Sequence, residues 1–264
     1  CYTISPSAKE NLGADSRTPP WPLPAAYELY AKTFGALAAS GRAIVHNIKD
    51  GVAPLRARDV SHLRRCGYDI GDSFGSVVGA FRPCPTGASS DAGPGFWSDP
   101  DPLEVGHGAQ TRAEYVAHFT LWCAMKAPLI LGMDLAAPAC ADCAGGASDV
   151  WAIVMNRELI AINQDALGAP VEPLAASLVG AGGGAAELWA GPLAGGDAAL
   201  VLLNAQDDGA TGVRVDLVCD LGLAVGTIVS ARDLWANTTT TLVAGAQNLT
   251  VDVDAHSVVA MRLH

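Results

Sequence analysis

The sequence predicts an α/β region built on parallel strands, followed from about residue 172 by an antiparallel β-sandwich. Two observations carry this. Up to residue 171, helical patterns alternate with short apolar runs, as in a parallel sheet covered by helices. After Gly168 the texture changes to the runs AELWAG, AALVLLN, GVRVDL, TIVSARDLW, NLTVDV and SVVAMRL, punctuated by Gly, Asp and Asn turns. The expected domains are therefore 1–171 and 172–264.

In chain order, residues 1–24 are Pro/Ser-rich and irregular. Residues 25–40 place Tyr27, Tyr30 or Ala31, Phe34 and Leu37 on one helical face, which Gly41 ends. RAIVHNI reads as a buried strand, 65–70 as a second and 72–80 as a helix. Asp72 precedes that helix as its N-cap in GDSFGSVV. A strand runs into GFW. In the helix predicted over 111–126, Thr111 and Glu114 form a capping box, and Tyr115, Phe119 and Trp122 line one face. His118 lies beside that face and reads as a satisfied core residue. PLILGMDL is expected to be the last parallel strand.

Half of the 264 residues are hydrophobic, enough for a sizeable core without help from disulfides or metal. A net charge of −11 and a pI near 4.8 argue against a polyanionic partner such as nucleic acid. No apolar run is long enough to span a membrane. The chain starts at Cys1 without a Met and is expected to be a fragment or a processed chain. Seven cysteines leave at least one unpaired within it. Cys140-x-x-Cys143 is an isolated pair, weak evidence for zinc, which would need two further ligands close by, so a local disulfide or two free thiols are expected, with no metal and no cofactor. Two sequons, Asn237-Thr-Thr and Asn248-Leu-Thr, favour a secretory or lysosome-like route.

The candidate chemistry lies between Arg65 and Gly106. Arg65 and Asp69 are four apart, the spacing of a helical ion pair. Gly67 and Gly71 interrupt any helix there, and Tyr68 and Ile70 flank Asp69 as at a strand end, leaving its carboxylate at a strand-to-loop exit. In FWSDPDPLEVG, Pro100 and Pro102 push Asp99 and Asp101 out of the α region, into backbone from which side chains can project into a cleft.

GPGFWSDPDPLEVGHG resembles the Gly-Pro-Gly-Gly-Trp-Asn-Asp-Pro-Asp-Met-Leu-Glu-Val-Gly signature of the α-galactosidases of glycoside hydrolase family 27. RCGYDIGDSF resembles that family's Arg-x-x-x-Asp-Ile-x-Asp-x-Trp segment. HFTLWCAMKAPLILGMDL, ELIAINQDALG, LWAGPLAGGDAALVLLN and ARDLW follow in the family's order, so the resemblance covers about residues 25–264. It implies the second half of a (β/α)8 barrel, strands five to eight, followed by the sandwich. By the same resemblance Cys1 follows the family's nucleophile, which would lie just upstream. The implied reaction is retaining hydrolysis of terminal α-D-galactose by two carboxyl groups about 5–5.5 Å apart.

Carried over by position, Asp69 matches the acid/base, Arg65 a sugar-binding arginine and Asp101 a sugar-contacting aspartate, while Trp97 is a packing residue. An acid in this role is expected to have its pKa raised by the nearby nucleophile. Where relatives have Cys-Glu-Trp, this chain has Lys49-Asp50-Gly51. Asp50 can take the glutamate's place against sugar hydroxyls, with Lys49 equally placed. Pro102 replaces Met, Ser98 replaces Asn and Phe74 replaces Trp. The implied partner is an α-galactoside, in a secreted, extracellular or lysosome/vacuole-like setting, and a homodimer is an allowed assembly. α-N-Acetylgalactosaminidase and a non-catalytic carbohydrate-binding fragment are the alternatives. The 264 residues alone are expected to fold poorly and be inactive, because a half barrel leaves parallel edges open and carries one of the two carboxylates.

Overall fold

The computed structural model describes residues 23–49, 57–84 and 92–264. The first layer is helix α1 (Leu23–Ala39) over a parallel sheet of β1 (Asn47–Ile48), β2 (Leu63–Arg65) and β3 (Trp97–Asp99), in the order β1-β2-β3. Tyr27, Tyr30 and Ala31 of α1 pack onto Ile48, Ala57, Val60 and Phe96, the face anticipated from the helical spacing. The strands are in register as Ile48↔Arg64 and Arg65↔Asp99, so their carboxyl ends open side by side.

Three expected strands are shorter than the sequence suggests. RAIVHNI contributes two strand residues; Ile44 and Val45 are exposed, since among the described residues β1 pairs on one side only. The strand expected over 65–70 stops at Arg65. There Cys66 turns away into a disulfide with Cys84, and Gly67 passes so close to Ala80 that a Cβ would lie 2.7 Å from its carbonyl oxygen. PLILGMDL makes a single parallel bridge, Leu103↔Leu131. Its neighbour is the segment 100–103, where two prolines lack N–H groups and Asp101 has φ 91°, so no ladder can extend.

Helix α2 (Phe74–Phe81) is capped by Ser73, whose side chain accepts from Ser76 N. Asp72 is therefore not the N-cap; it serves a different partner, described below. Helix α3 (Arg112–Ala124) has the expected capping box of Thr111 and Glu114. Its residues Tyr115 to Ala124 are all buried, not one face alone, because it is enclosed by α2, α4 (Ala147–Val154), α5 (Arg157–Asn163) and the second domain's large sheet.

That sheet has six antiparallel strands in the order β4-β5-β6-β11-β8-β9: β4 (Glu172–Val179), β5 (Ala185–Pro192), β6 (Ala198–Asn204), β8 (Ile228–Asp233), β9 (Thr239–Val243) and β11 (Ser257–Leu263). β7 (Ala210–Val215) and β10 (Leu249–Val253) pair as a separate two-stranded sheet. β6 explains why AALVLLN does not alternate: it is covered on both faces. Ala199, Val201 and Leu203 pack with α3 in one core, while Leu200 and Leu202 pack with Val213, Val215 and Leu249 of the small sheet in the other. The first core is thus continuous from the helices into the sandwich. Among the described residues no helix is long and apolar enough to cross a membrane.

Candidate active site

The site is built where β1, β2 and β3 end. Lys49 follows β1, Arg65 ends β2, and Asp99 ends β3 with Asp101 two residues on. The carboxyl end of a parallel sheet is where α/β folds place their chemistry.

Arg65 is the hub. Its Nη2 lies 2.6 Å from Asp101 Oδ2 and 3.3 Å from Asp69 Oδ1, and it donates to the Tyr68 carbonyl at 3.2 Å. The expected Arg65–Asp69 pair therefore exists, but as the longer contact. Asp101 is fixed from three further directions. Its Oδ2 accepts the Ile70 N–H at 3.1 Å, its own N–H donates to Asp99 Oδ1 at 2.8 Å, and its carbonyl accepts from Trp122 Nε1 at 2.8 Å. These bonds hold a non-glycine residue at φ 91°, a strained backbone of the kind that persists only where its surroundings over-determine it. Asp99, 5 % exposed, also accepts from Asn47 Nδ2. Trp97 lies at the opposite end of β3, against Gly168, in keeping with a packing role.

Asp69 has a different environment. Its side chain is 75 % exposed, and Lys49 Nζ donates to Oδ1. Lys49, and then Arg65, hold its carboxyl below the usual range. The upward shift expected in the intact cleft would come from the nucleophile's charge, whereas the charges facing Asp69 among the described residues are cations. Asp50 lies outside the described residues.

Behind the site, sequence reasoning missed two supports. Asp72 accepts from Ala109 N at 2.8 Å, Gln110 Nε2 at 2.9 Å and the Tyr115 hydroxyl at 2.9 Å, tying the start of α2 to the start of α3. Burial, helped by Asp72, pushes the Tyr115 phenol up to about 12. Glu104 Oε2 meets His107 Nδ1 at 2.8 Å; burial first, then the charges of Asp72 and Asp101, raise the Glu104 carboxyl. No local spacing pointed to the Asp72 contacts, which reach 37 to 43 residues along the chain, since residue types alone do not say which loops meet.

Among the cysteines, Cys66–Cys84 and Cys140–Cys143 are disulfides and Cys123 is free and buried. Cys140, Cys143 and Asp142 lie close enough together for a metal, but the two sulfurs are spent on each other.

Residues 26–165 match the family model described as alpha galactosidase A, and residues 183–263 match that of the alpha galactosidase C-terminal beta sandwich domain. An α-galactosidase of Cyamopsis tetragonoloba is 34 % identical over 233 residues, 87 % of this chain and 52 % of that protein. One of Oryza sativa subsp. japonica is 35 % identical over 214 residues, 80 % and 47 %. The chain spans about half the length of the relatives it matches. Among solved structures, α-galactosidase I from Mortierella vinacea superposes with a TM-score of 0.74 at 24 % identity, over 92 % of this chain and 64 % of that one. The α-galactosidase from Saccharomyces cerevisiae with raffinose gives 0.77 at 21 %, over 92 % and 69 %. The fold is therefore the C-terminal part of a (β/α)8 barrel with its β-sandwich. With one model covering more than half of the residues and the other the strands that follow, this chain belongs to the α-galactosidase family, glycoside hydrolase family 27.

Proposed function

We propose that these residues supply the acid/base half of a retaining α-galactosidase acting on terminal α-D-galactose, with Asp69 as acid/base. The convergence of Arg65, Asp69 and Asp101 at the carboxyl ends of three parallel strands supports this most directly. The partner carboxylate, the nucleophile, comes in this reading from the part of the relatives' length that the chain does not span. In the first step its oxygen bonds to the anomeric carbon while the glycosidic bond breaks, and Asp69 gives its proton to the departing oxygen. In the second, water attacks that carbon, Asp69 takes the water's proton, and the nucleophile leaves as carboxylate. Arg65 and Asp101 contact sugar hydroxyls, and Asp50 adds a further contact.

The domain boundary falls near residue 171 in this reading, between the end of α5 at Asn163 and the start of β4 at Glu172. The disulfides Cys66–Cys84 and Cys140–Cys143 favour a secreted or lysosome-like compartment.

Asp69→Asn in the full-length protein tests the assignment. It should lose most turnover of raffinose, keep much of the first step on p-nitrophenyl α-galactoside, and regain turnover with azide as the α-galactosyl azide. Wild-type behaviour on raffinose would remove Asp69 from the role. Faster cleavage of the N-acetylgalactosaminide would overturn the choice of sugar.

A further inference from the structure

Lys49 is the first residue past β1, and its ammonium donates to the same Asp69 oxygen that Arg65 Nη2 reaches at 3.3 Å. Arg65 makes its shorter contact, 2.6 Å, with Asp101, so Lys49 is the principal cation on Asp69. The backbone of Lys49 is held. Ile48 beside it is 2 % exposed and paired to β2, and the Tyr30 hydroxyl of α1 donates to the Lys49 carbonyl at 2.7 Å. The ammonium is thus carried to Asp69 by a fixed strand end. The described charged groups around Asp69 are Lys49 after β1, Arg65 at the end of β2 and, behind Arg65, Asp101 after β3.

We propose that Lys49 is a positioning residue that sets the proton occupancy of Asp69, confining the first chemical step to more acidic pH and to leaving oxygens that need little protonation. The inference rests on the proposed function above. The first step consumes a proton from Asp69, whereas the second needs the ionised carboxylate. A cation seated on that carboxylate favours the ionised form, so it disfavours the first step and assists the second. An opposite charge in contact lowers a carboxyl pKa by about 1–3 units. The exposure of Asp69 weakens this in the open site, and a bound sugar that excludes water strengthens it. The direction agrees with the low-lying Asp69 carboxyl, for which Lys49 is the largest cause.

In kcat/KM, loss of the acid's proton appears as the alkaline limb. Full-length wild-type, Lys49→Met and Lys49→Arg proteins are compared on p-nitrophenyl α-galactoside and raffinose across pH. The alkaline limb should move upward by about one pH unit in Lys49→Met and stay with wild type in Lys49→Arg. Two or more pH units above the wild-type limb, raffinose should gain close to tenfold relative to the aryl substrate in Lys49→Met. A merely structural role would lower activity without moving the limb, and an unmoved or downward-moving limb overturns the inference. Should Lys49→Met not fold, Lys49→Gln carries the same expectation. Absence of α-galactosidase turnover in wild type would sink the underlying function, and the inference with it, before any variant is compared.

Discussion

Arg65 Nη2 sits 2.6 Å from Asp101 Oδ2, and the same oxygen accepts the Ile70 N–H at 3.1 Å. One carboxylate thus joins the exits of two adjacent strands, with side chains only 14 % and 18 % exposed. The left-handed backbone of Asp101 turns its side chain back toward β2, so its strain and the ion pair support one another.

Arg65→Lys should weaken this arrangement, because one nitrogen, Nη2, meets Asp101, Asp69 and the Tyr68 carbonyl together, and an ammonium on a shorter, flexible stem does not hold that point in place as the rigid planar guanidinium does. We expect a loss of roughly 2–3 kcal/mol, somewhat less than for a fully buried pair, measured by denaturant unfolding of the full-length protein. A change below about 0.5 kcal/mol would mean that the Ile70 N–H alone fixes Asp101.

The Cys66–Cys84 disulfide closes the loop that carries Asp69 and α2, over a sequence separation of 18. Replacing both cysteines by serine should cost about 3 kcal/mol by loop-closure entropy. Because Cys66 adjoins Arg65, kcat should fall as well. Unchanged kcat would show that the ion pairs order the loop without the disulfide.

His118 departs from its expected role. It is fully buried, its ring meets Trp122 edge-on at 4.2 Å, and among the described residues neither ring nitrogen has a hydrogen-bond partner. Burial pulls its pKa down to about 3. Between pH 6.5 and about 3 the unfolded chain therefore binds a proton that the folded one refuses, and stability falls as pH falls through this window. His118→Met should raise stability at pH 7 by about 1 kcal/mol, by removing an unsatisfied N–H, and should flatten the acid side of the stability profile. Equal acid sensitivity in urea titrations at pH 4 and 7 would contradict this.

Several elements were legible from local sequence. The Thr111–Glu114 capping box is a contact between residues three apart, so backbone geometry within one turn suffices to realise it. The runs from AELWAG to SVVAMRL became strands because they combine apolar content with turn residues at their ends. Pro100 and Pro102 kept Asp99 and Asp101 out of helix, as local sterics require. The family motifs carried Arg65, Asp69 and Asp101 together, and these three do converge.

What only the tertiary structure decided is which distant side chains meet. Residue spacing paired Arg65 with Asp69, but the turn of Asp101 brings a better-placed carboxylate to the same guanidinium. Asp72 read as a helix cap, yet its oxygens face the start of α3, leaving the cap to Ser73. The helix at 112–124 read as one-faced until the sandwich enclosed its other side. Lys49 was indistinguishable from Asp50 in the sequence; strand register and the Tyr30 hydroxyl carry its ammonium to Asp69. Local sequence sets the backbone within a few residues, whereas charge pairing and burial depend on where whole elements dock, and that is fixed by packing across the entire chain.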